Sequence, residues 1–141
     1  MLGDGWILLV IRQACLGTRR FEDFQRELGI GRSILAAKLN RLVAEGMLRR
    51  VEYQPRPVRY EYRLTDKGRD GYPVLAAMAA WGDRWLTGPD GTPLILHHTT
   101  CDHDMHAVVV CSECDRPLDV REIRATAGPG YRAATPLEAT P

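Results

Sequence analysis

No apolar run in the chain approaches the ~20 residues needed to span a bilayer, so a membrane-spanning role is not expected. The opening Met1-Leu2-Gly3-Asp4-Gly5-Trp6 lacks the positive flank and cleavage pattern of a secretion signal, which points to the cytoplasm. Three catalytic signatures are also missing: a Gly-rich phosphate loop, a Gly-x-Ser-x-Gly elbow and a His-Glu-x-x-His helix. Without them an enzyme is not expected. Lysine is scarce, with Lys38 and Lys67 alone among the basic residues, and Arg supplies the rest. There is no internal repeat. A length of 141 residues holds one ordinary domain, or one with a small satellite.

What is present is an uneven distribution of charge. The net charge of +1 conceals 15 Lys and Arg against 10 Asp and Glu over residues 1–86, and 4 against 8 over 87–141. Within 32–69 the balance is 10 to 4. A basic excess over one contiguous segment is the electrostatic footprint of a phosphate-binding surface.

The spacing of apolar residues predicts helices in the first part of the chain. Trp6 to about Leu16 is apolar nearly all round, as a buried helix should be, and Gly17 stops it. Thr18 is placed to cap the next helix, Arg20 to Leu28, whose inward stripe is Phe21, Phe24 and Leu28. After the turn Gly29-Ile30-Gly31, a second amphipathic helix runs from Arg32 to Glu45. Leu35, Leu39, Leu42 and Val43 mark its buried face. The opposite face carries Arg32, Ser33, Ala36, Ala37, Asn40 and Arg41. Small residues permit close approach to DNA, and Arg and Asn can bond to base edges or phosphates.

Two strands follow, Leu48 to Tyr53 and Arg59 to Leu64, around a stiff loop holding Pro55 and Pro57, with Arg56 and Arg59 at or beside its tip. A further helix from Thr65, in doubt at Pro73, carries Val74, Leu75, Met78, Trp81 and Trp85. That stripe is longer than a small domain must bury, so a second copy of the chain is the economical cover for it, the alternative being the first helix of the same chain. Helix, turn, helix and basic hairpin in that order read as a winged helix-turn-helix, which places one helix for a major groove and one arm for flanking DNA. The expected fold class is mainly α with a small β-hairpin, carrying a short C-terminal β appendage with a Cys/His cluster. The expected divisions are 1–86, 87–125 and a disordered tail, 126–141.

In the appendage, strands are expected at Leu94 to His98 and Ala107 to Val110. Cys101, His103, Cys111 and Cys114 offer three thiols and an imidazole, a ligand set suited to Zn. The spacing is unorthodox. If Leu94 to Val110 is a simple hairpin turning near His103, Cys111 lies nearer to His97 or His98 than to Cys101, which makes His98 an alternative ligand. A reduced thiol pair, a reversible Cys111–Cys114 disulfide and a ribbon without metal stay open beside zinc. Cys15, after an apolar helix, reads as a small core residue.

Residues 2–85 resemble the HxlR-type winged-helix transcriptional regulators of bacteria. The resemblance runs through Gly3-Asp4-Gly5-Trp6-Ile7-Leu8-Leu9 and Gly17-Thr18-Arg19-Arg20-Phe21. It continues through Leu35-x-x-x-Leu39-x-x-Leu42-x-x-x-Gly46-Met47-Leu48-x-Arg50, Arg59-Tyr60-Glu61-Tyr62-x-Leu64-Thr65-x-Lys67-Gly68 and Trp81-Gly82. It implies a homodimer on a palindromic double-stranded DNA operator, with Arg32 to Arg41 on the recognition helix and Arg56 and Arg59 on the wing. Members of that family usually have a longer segment before the Gly-Asp-x-Trp region, often with a redox-sensing Cys. This chain departs from the pattern by beginning inside that region, and Cys15 does not stand in for that residue.

The expectation is a sequence-specific DNA-binding regulator, cytoplasmic and nucleoid-associated when bound. Arg32, Ser33, Ala36, Ala37, Asn40 and Arg41 would face the major groove and Arg56 and Arg59 the flanking DNA. Lys38, Arg49 and Arg50 are secondary backbone candidates. Two other readings are a protein-interaction adaptor with a zinc-binding tail and a regulator whose DNA affinity responds to thiol or metal chemistry.

Overall fold

The computed structural model describes residues 3–131. The expected disordered tail therefore lies outside the described residues from position 132 onward. The described residues fall into two compact units, one ending at Ala107 and the other beginning at Val108.

In the first unit, helix α1 spans Gly5–Cys15, α2 Phe21–Leu28 and α3 Arg32–Ala44. Asp4 caps α1, its carboxylate accepting from the Trp6 and Ile7 amides at 3.1 and 3.4 Å. This is the standard way to satisfy first-turn N–H groups. Gly29 closes α2 in the left-handed region at φ 61°, a conformation glycine adopts without steric cost. The expected cap at Thr18 is not made. Its hydroxyl donates to Glu27 Oε2, and the N-cap position of α2 falls on Arg20, in extended backbone without a side-chain cap.

That extended backbone has another partner. Arg20 forms an antiparallel bridge with Glu61, and the Tyr62 amide donates to the Arg19 carbonyl at 2.7 Å. The strands β1 (Leu48–Pro55) and β2 (Val58–Leu64) are antiparallel, with Leu48 opposite Leu64 and Arg50 opposite Tyr62. The α1–α2 connection thus lies along the free edge of β2, which anchors the base of the hairpin to the helices.

The core joins these elements. Ile7, Val10 and Ile11 of α1, Phe24 of α2, Leu35, Leu39 and Leu42 of α3 and Leu48 of β1 are all essentially inaccessible to solvent. Burial of such side chains stabilises by roughly 1.5–3 kcal/mol each. The expectation that the first helix is buried all round is not met. Trp6 and Leu16 are exposed, and Leu8 and Leu9 are half-buried.

A polar clamp closes the exit of β2. Thr65 Oγ donates to the Gly46 carbonyl at 2.6 Å and accepts from the Gly68 amide at 3.1 Å, while Lys67 Nζ reaches the Glu45 carbonyl at 2.7 Å. Two carbonyls just past the end of α3 are thereby satisfied. The expected single helix after Thr65 is two helices, α4 (Asp66–Asp70) and α5 (Tyr72–Trp85), interrupted at Gly71 with Pro73 in the first turn of α5. Pro is tolerated there because that N–H has no intrahelical partner.

After α5 the strands β3 (Leu96–His98) and β4 (His103–Met105) form a hairpin within the first unit. The expected strand Ala107 to Val110 is not formed, and of its residues Val110 alone makes a bridge, with Pro117. The second unit is a knuckle around Cys111–Cys114. The Asp115 amide donates to the Cys111 carbonyl at 3.0 Å, the Cys111 amide to the Arg116 carbonyl at 2.9 Å, and a short 3-10 turn follows at Val120–Glu122.

Gly68 generates a stability prediction. A Cβ built there lies 2.2 Å from the Met47 carbonyl oxygen and 2.9 Å from Leu64. Backbone has to shift to admit it. Gly68→Ala should destabilise the fold by about 1–3 kcal/mol in urea unfolding, the range for overpacking. An unchanged unfolding midpoint would contradict the close packing of α4 on the end of α3.

Candidate nucleic-acid interface

Helix α3 can bury only one stripe, and Leu35, Leu39 and Leu42 take it. The exposed side is then fixed by the helical period. Arg32, Ser33, Ala37, Asn40 and Arg41 lie on it, and Ala36 is half-buried at its margin. The structure thus brings together on one surface most of the residues expected to face a groove. Ile34, 45% exposed, adds an apolar side chain to that helix which the sequence reading left out.

Lys38 is placed differently. Its ammonium sits 2.5 Å from Asp4 Oδ2, partly buried, and ties α3 to the cap of α1. This contact, with the two amides that Asp4 accepts, holds the Asp4 carboxyl below its usual range. In the wing, Arg56 in the β1–β2 turn and Arg59 in β2 just after it are exposed, and Gln54 braces the turn by donating to the Arg56 carbonyl at 3.0 Å.

The distribution of ion pairs separates structural from uncompensated charge. Arg20 pairs with Glu61 at 3.7 Å and lies 4.7 Å over the Tyr53 ring, so it belongs to the base of the wing. Arg26, Arg63 and Arg69 pair with Asp23, Glu61 and Asp66. Among the described residues no ion pair involves Arg32, Arg41, Arg49, Arg50, Arg56 or Arg59. Arg32 stacks over Phe21 at 5.1 Å, which steadies it at the start of α3. Arg50 hydrogen-bonds the Asn40 side-chain oxygen.

The Cys and His residues fall into small groups. In the β3–β4 hairpin, His98 Nδ1 lies 3.2 Å from Cys101 Sγ, and the His103 ring contacts the Cys101 carbonyl. His97 sits between Asp104 and Asp102 at 3.0 and 3.1 Å, which raises its pKa above the ordinary value. Cys111 and Cys114 belong to the second unit. There the Glu113 amide points at Cys111 Sγ from 3.5 Å, and such donors lower the thiol's pKa. Among the described residues no three His, Cys, Asp or Glu side chains are grouped so as to hold a metal ion. No described helix is long and apolar enough to cross a membrane.

This arrangement, a solvent-facing α3 beside a basic two-stranded arm, matches the family model described as HxlR-like helix-turn-helix over residues 1–89. The chain belongs to the HxlR-like helix-turn-helix family. It is 38% identical over 133 residues to the uncharacterized HTH-type transcriptional regulator Rv3095 of Mycobacterium tuberculosis, covering 94% of this chain and 84% of that protein. Among solved structures it is similar to PA1607, a candidate transcription factor, at 35% identity and a TM-score of 0.80 over 90% of this chain and 89% of that one. The redox regulator HypR in its oxidized form aligns at 31% identity and a TM-score of 0.54, over 58% of this chain and 86% of its own. HxlR-like proteins are transcriptional regulators of the helix-turn-helix type, not enzymes, and winged helices of this fold bind DNA. PA1607 covers the appendage as well as the winged helix, whereas HypR covers little more than half of the chain.

The Asp4–Lys38 contact gives a pH prediction. A carboxyl whose folded pKa is lowered contributes stability above its unfolded value, 3.8, and loses that contribution as pH falls through the folded value. Asp4→Asn should therefore be less stable than the parent near neutral pH, and the gap should close below pH 3.8. Urea unfolding at pH 7 and pH 3 checks this. An equal gap at both would show that the Asp4–Lys38 charge pairing is not its source.

Proposed function

We propose that the chain binds a double-stranded DNA operator as a homodimer, with α3 in the major groove and the wing on flanking DNA. The observation that carries this reading is the set of arginines without acidic partners on α3 and the β1–β2 arm. Arg32, Ser33, Ala36, Ala37, Asn40 and Arg41 face base edges, Ala36 and Ala37 permitting close approach. Arg56 and Arg59 contact phosphates or the minor groove beside the site. Lys38, held by Asp4, takes no part. Base contacts carry sequence preference and phosphate contacts do not, so the two sets have separable effects.

The second copy seats on the face shared by α1 and α5. Trp81, Trp85, Met78, Val74 and Trp6 are exposed there, beside an apolar groove of about 280 Å³ lined by Leu8, Leu9, Leu75 and Ala79. Clustered exposed apolar side chains of this kind mark interaction surfaces. A second reading, a regulator whose DNA affinity follows the thiol state, is favoured by the backbone donor at Cys111 and by the likeness to the redox regulator HypR. Oxidation of Cys111 and Cys114 that leaves DNA affinity unchanged would sink it.

Variants divide the roles. Arg32→Ala or Asn40→Ala should relax base preference by about 1–3 kcal/mol at the contacted position. Arg56→Ala should weaken binding to all sequences alike and lower the salt slope by about 1. Uniform loss in every variant would overturn the division. Light scattering should give a dimer mass for the parent chain and a lower mass for Trp81→Glu, and a monomeric parent would remove the homodimer.

A further inference from the structure

Asn40 does not stand on α3 as an independent side chain. Arg50, ten residues on in β1, hydrogen-bonds its oxygen across the gap between helix and wing. A guanidinium donates only, so the Asn40 Oδ1 must face Arg50 and the Nδ2 amino group must face away. Arg50 is itself placed by Tyr62, its cross-strand partner, which is 9% exposed and lies 5.8 Å below the guanidinium. A chain of contacts therefore runs from a core tyrosine through a wing arginine to a side chain on the helix that the proposed function puts in the groove.

This has a consequence for base choice. Free Asn reads adenine with both ends of its amide, accepting from N6 and donating to N7. Here one lone pair of the accepting end is engaged by a cation that carries further N–H donors of its own. The pair presents donors in excess, with one lone pair of Asn40 Oδ1 remaining. Guanine offers N7 and O6 in the major groove, both acceptors, while adenine sets its own N6–H donor against the cluster. We propose that Asn40 and Arg50 act as one donor unit that selects guanine over adenine at one base pair of each half-site, with Arg50 as the positioning residue. The inference rests on α3 lying in the major groove.

Selection from a randomised duplex pool tests it, using the parent chain, Arg50→Met and Arg50→Lys. Met keeps an apolar stem on Tyr62 and removes the donors, and Lys keeps the charge without the planar fork. The parent should enrich a motif holding one guanine per half-site whose preference over adenine falls by about tenfold in Arg50→Met, the size of one good base contact. Arg50→Lys should recover overall affinity but not that preference. A preference unchanged in Arg50→Met, or one fully restored by Lys, would overturn the proposal and leave Arg50 a phosphate contact at most.

A measurement without DNA separates this from the proposed function. In the free protein, the Asn40 side-chain amide resonances should shift in Arg50→Met and stay fixed in Arg49→Met. If they stay fixed in both, the pair does not hold in solution and the inference fails whatever the DNA result. If they shift but no sequence is enriched by the parent, the groove-reading role of α3 fails, and the guanine preference fails with it.

Discussion

Burial of Leu35, Leu39 and Leu42 against α1 is the constraint on which the rest depends. Each is completely inaccessible, and together they fix the rotation of α3 about its own axis. A turn of one residue, 100° on the helical wheel, would bring Ala36 and Asn40 inward and expose Leu35. The core and the outward display of Ser33, Ala37, Asn40 and Arg41 are therefore one fact seen from two sides. Contacts made from outside the stripe hold the helix along its length. Lys38 meets Asp4 at the start of α1, and Thr65 and Lys67 gather the carbonyls at its C-terminal end.

The wing depends on the same core through Leu48 and Tyr62, which are buried at its base, while its outer end is exposed and tied only by strand pairing and the Gln54 hydrogen bond. This gradient from fixed base to solvated tip suits an arm that contacts DNA through charge. Arg20, stacked on Tyr53 and paired with Glu61, joins the α1–α2 connection to the hairpin and sets the angle at which it leaves the helices. Ion pairs this exposed contribute little stability individually. Their value here is in register: among the described residues they leave the arginines of α3 and the turn without acidic partners.

The parts of this design that repeat along the chain were legible in the sequence. Leucines at i, i+4 and i+7 gave α3 and its face, and Tyr60 and Tyr62 alternating with charged residues gave β2. Pairs between elements were not legible, because nothing local marks them. Asp4 with Lys38, Arg20 with Glu61 and Arg50 with Asn40 are separated by 34, 41 and 10 positions and meet only once the core has formed. Thr18 shows the opposite failure. Its local pattern fits a cap, but Glu27 on the next helix competes for the hydroxyl and wins. In the appendage, strand content was overestimated because Val108, Val109 and Val110 have β-forming side chains, yet their pairing stops at one isolated bridge from Val110 to Pro117 and a single hydrogen bond from Leu118 to Val109.

The central claim is that the α3 face and the wing read a particular DNA sequence. Fluorescence anisotropy of the full chain on its own upstream intergenic DNA, against a scrambled duplex and from low to moderate salt, tests it most directly. The account predicts clear preference for the native fragment and a steep loss of affinity with salt, as expected when several arginines displace counterions. Equal, weak binding to both duplexes would contradict it.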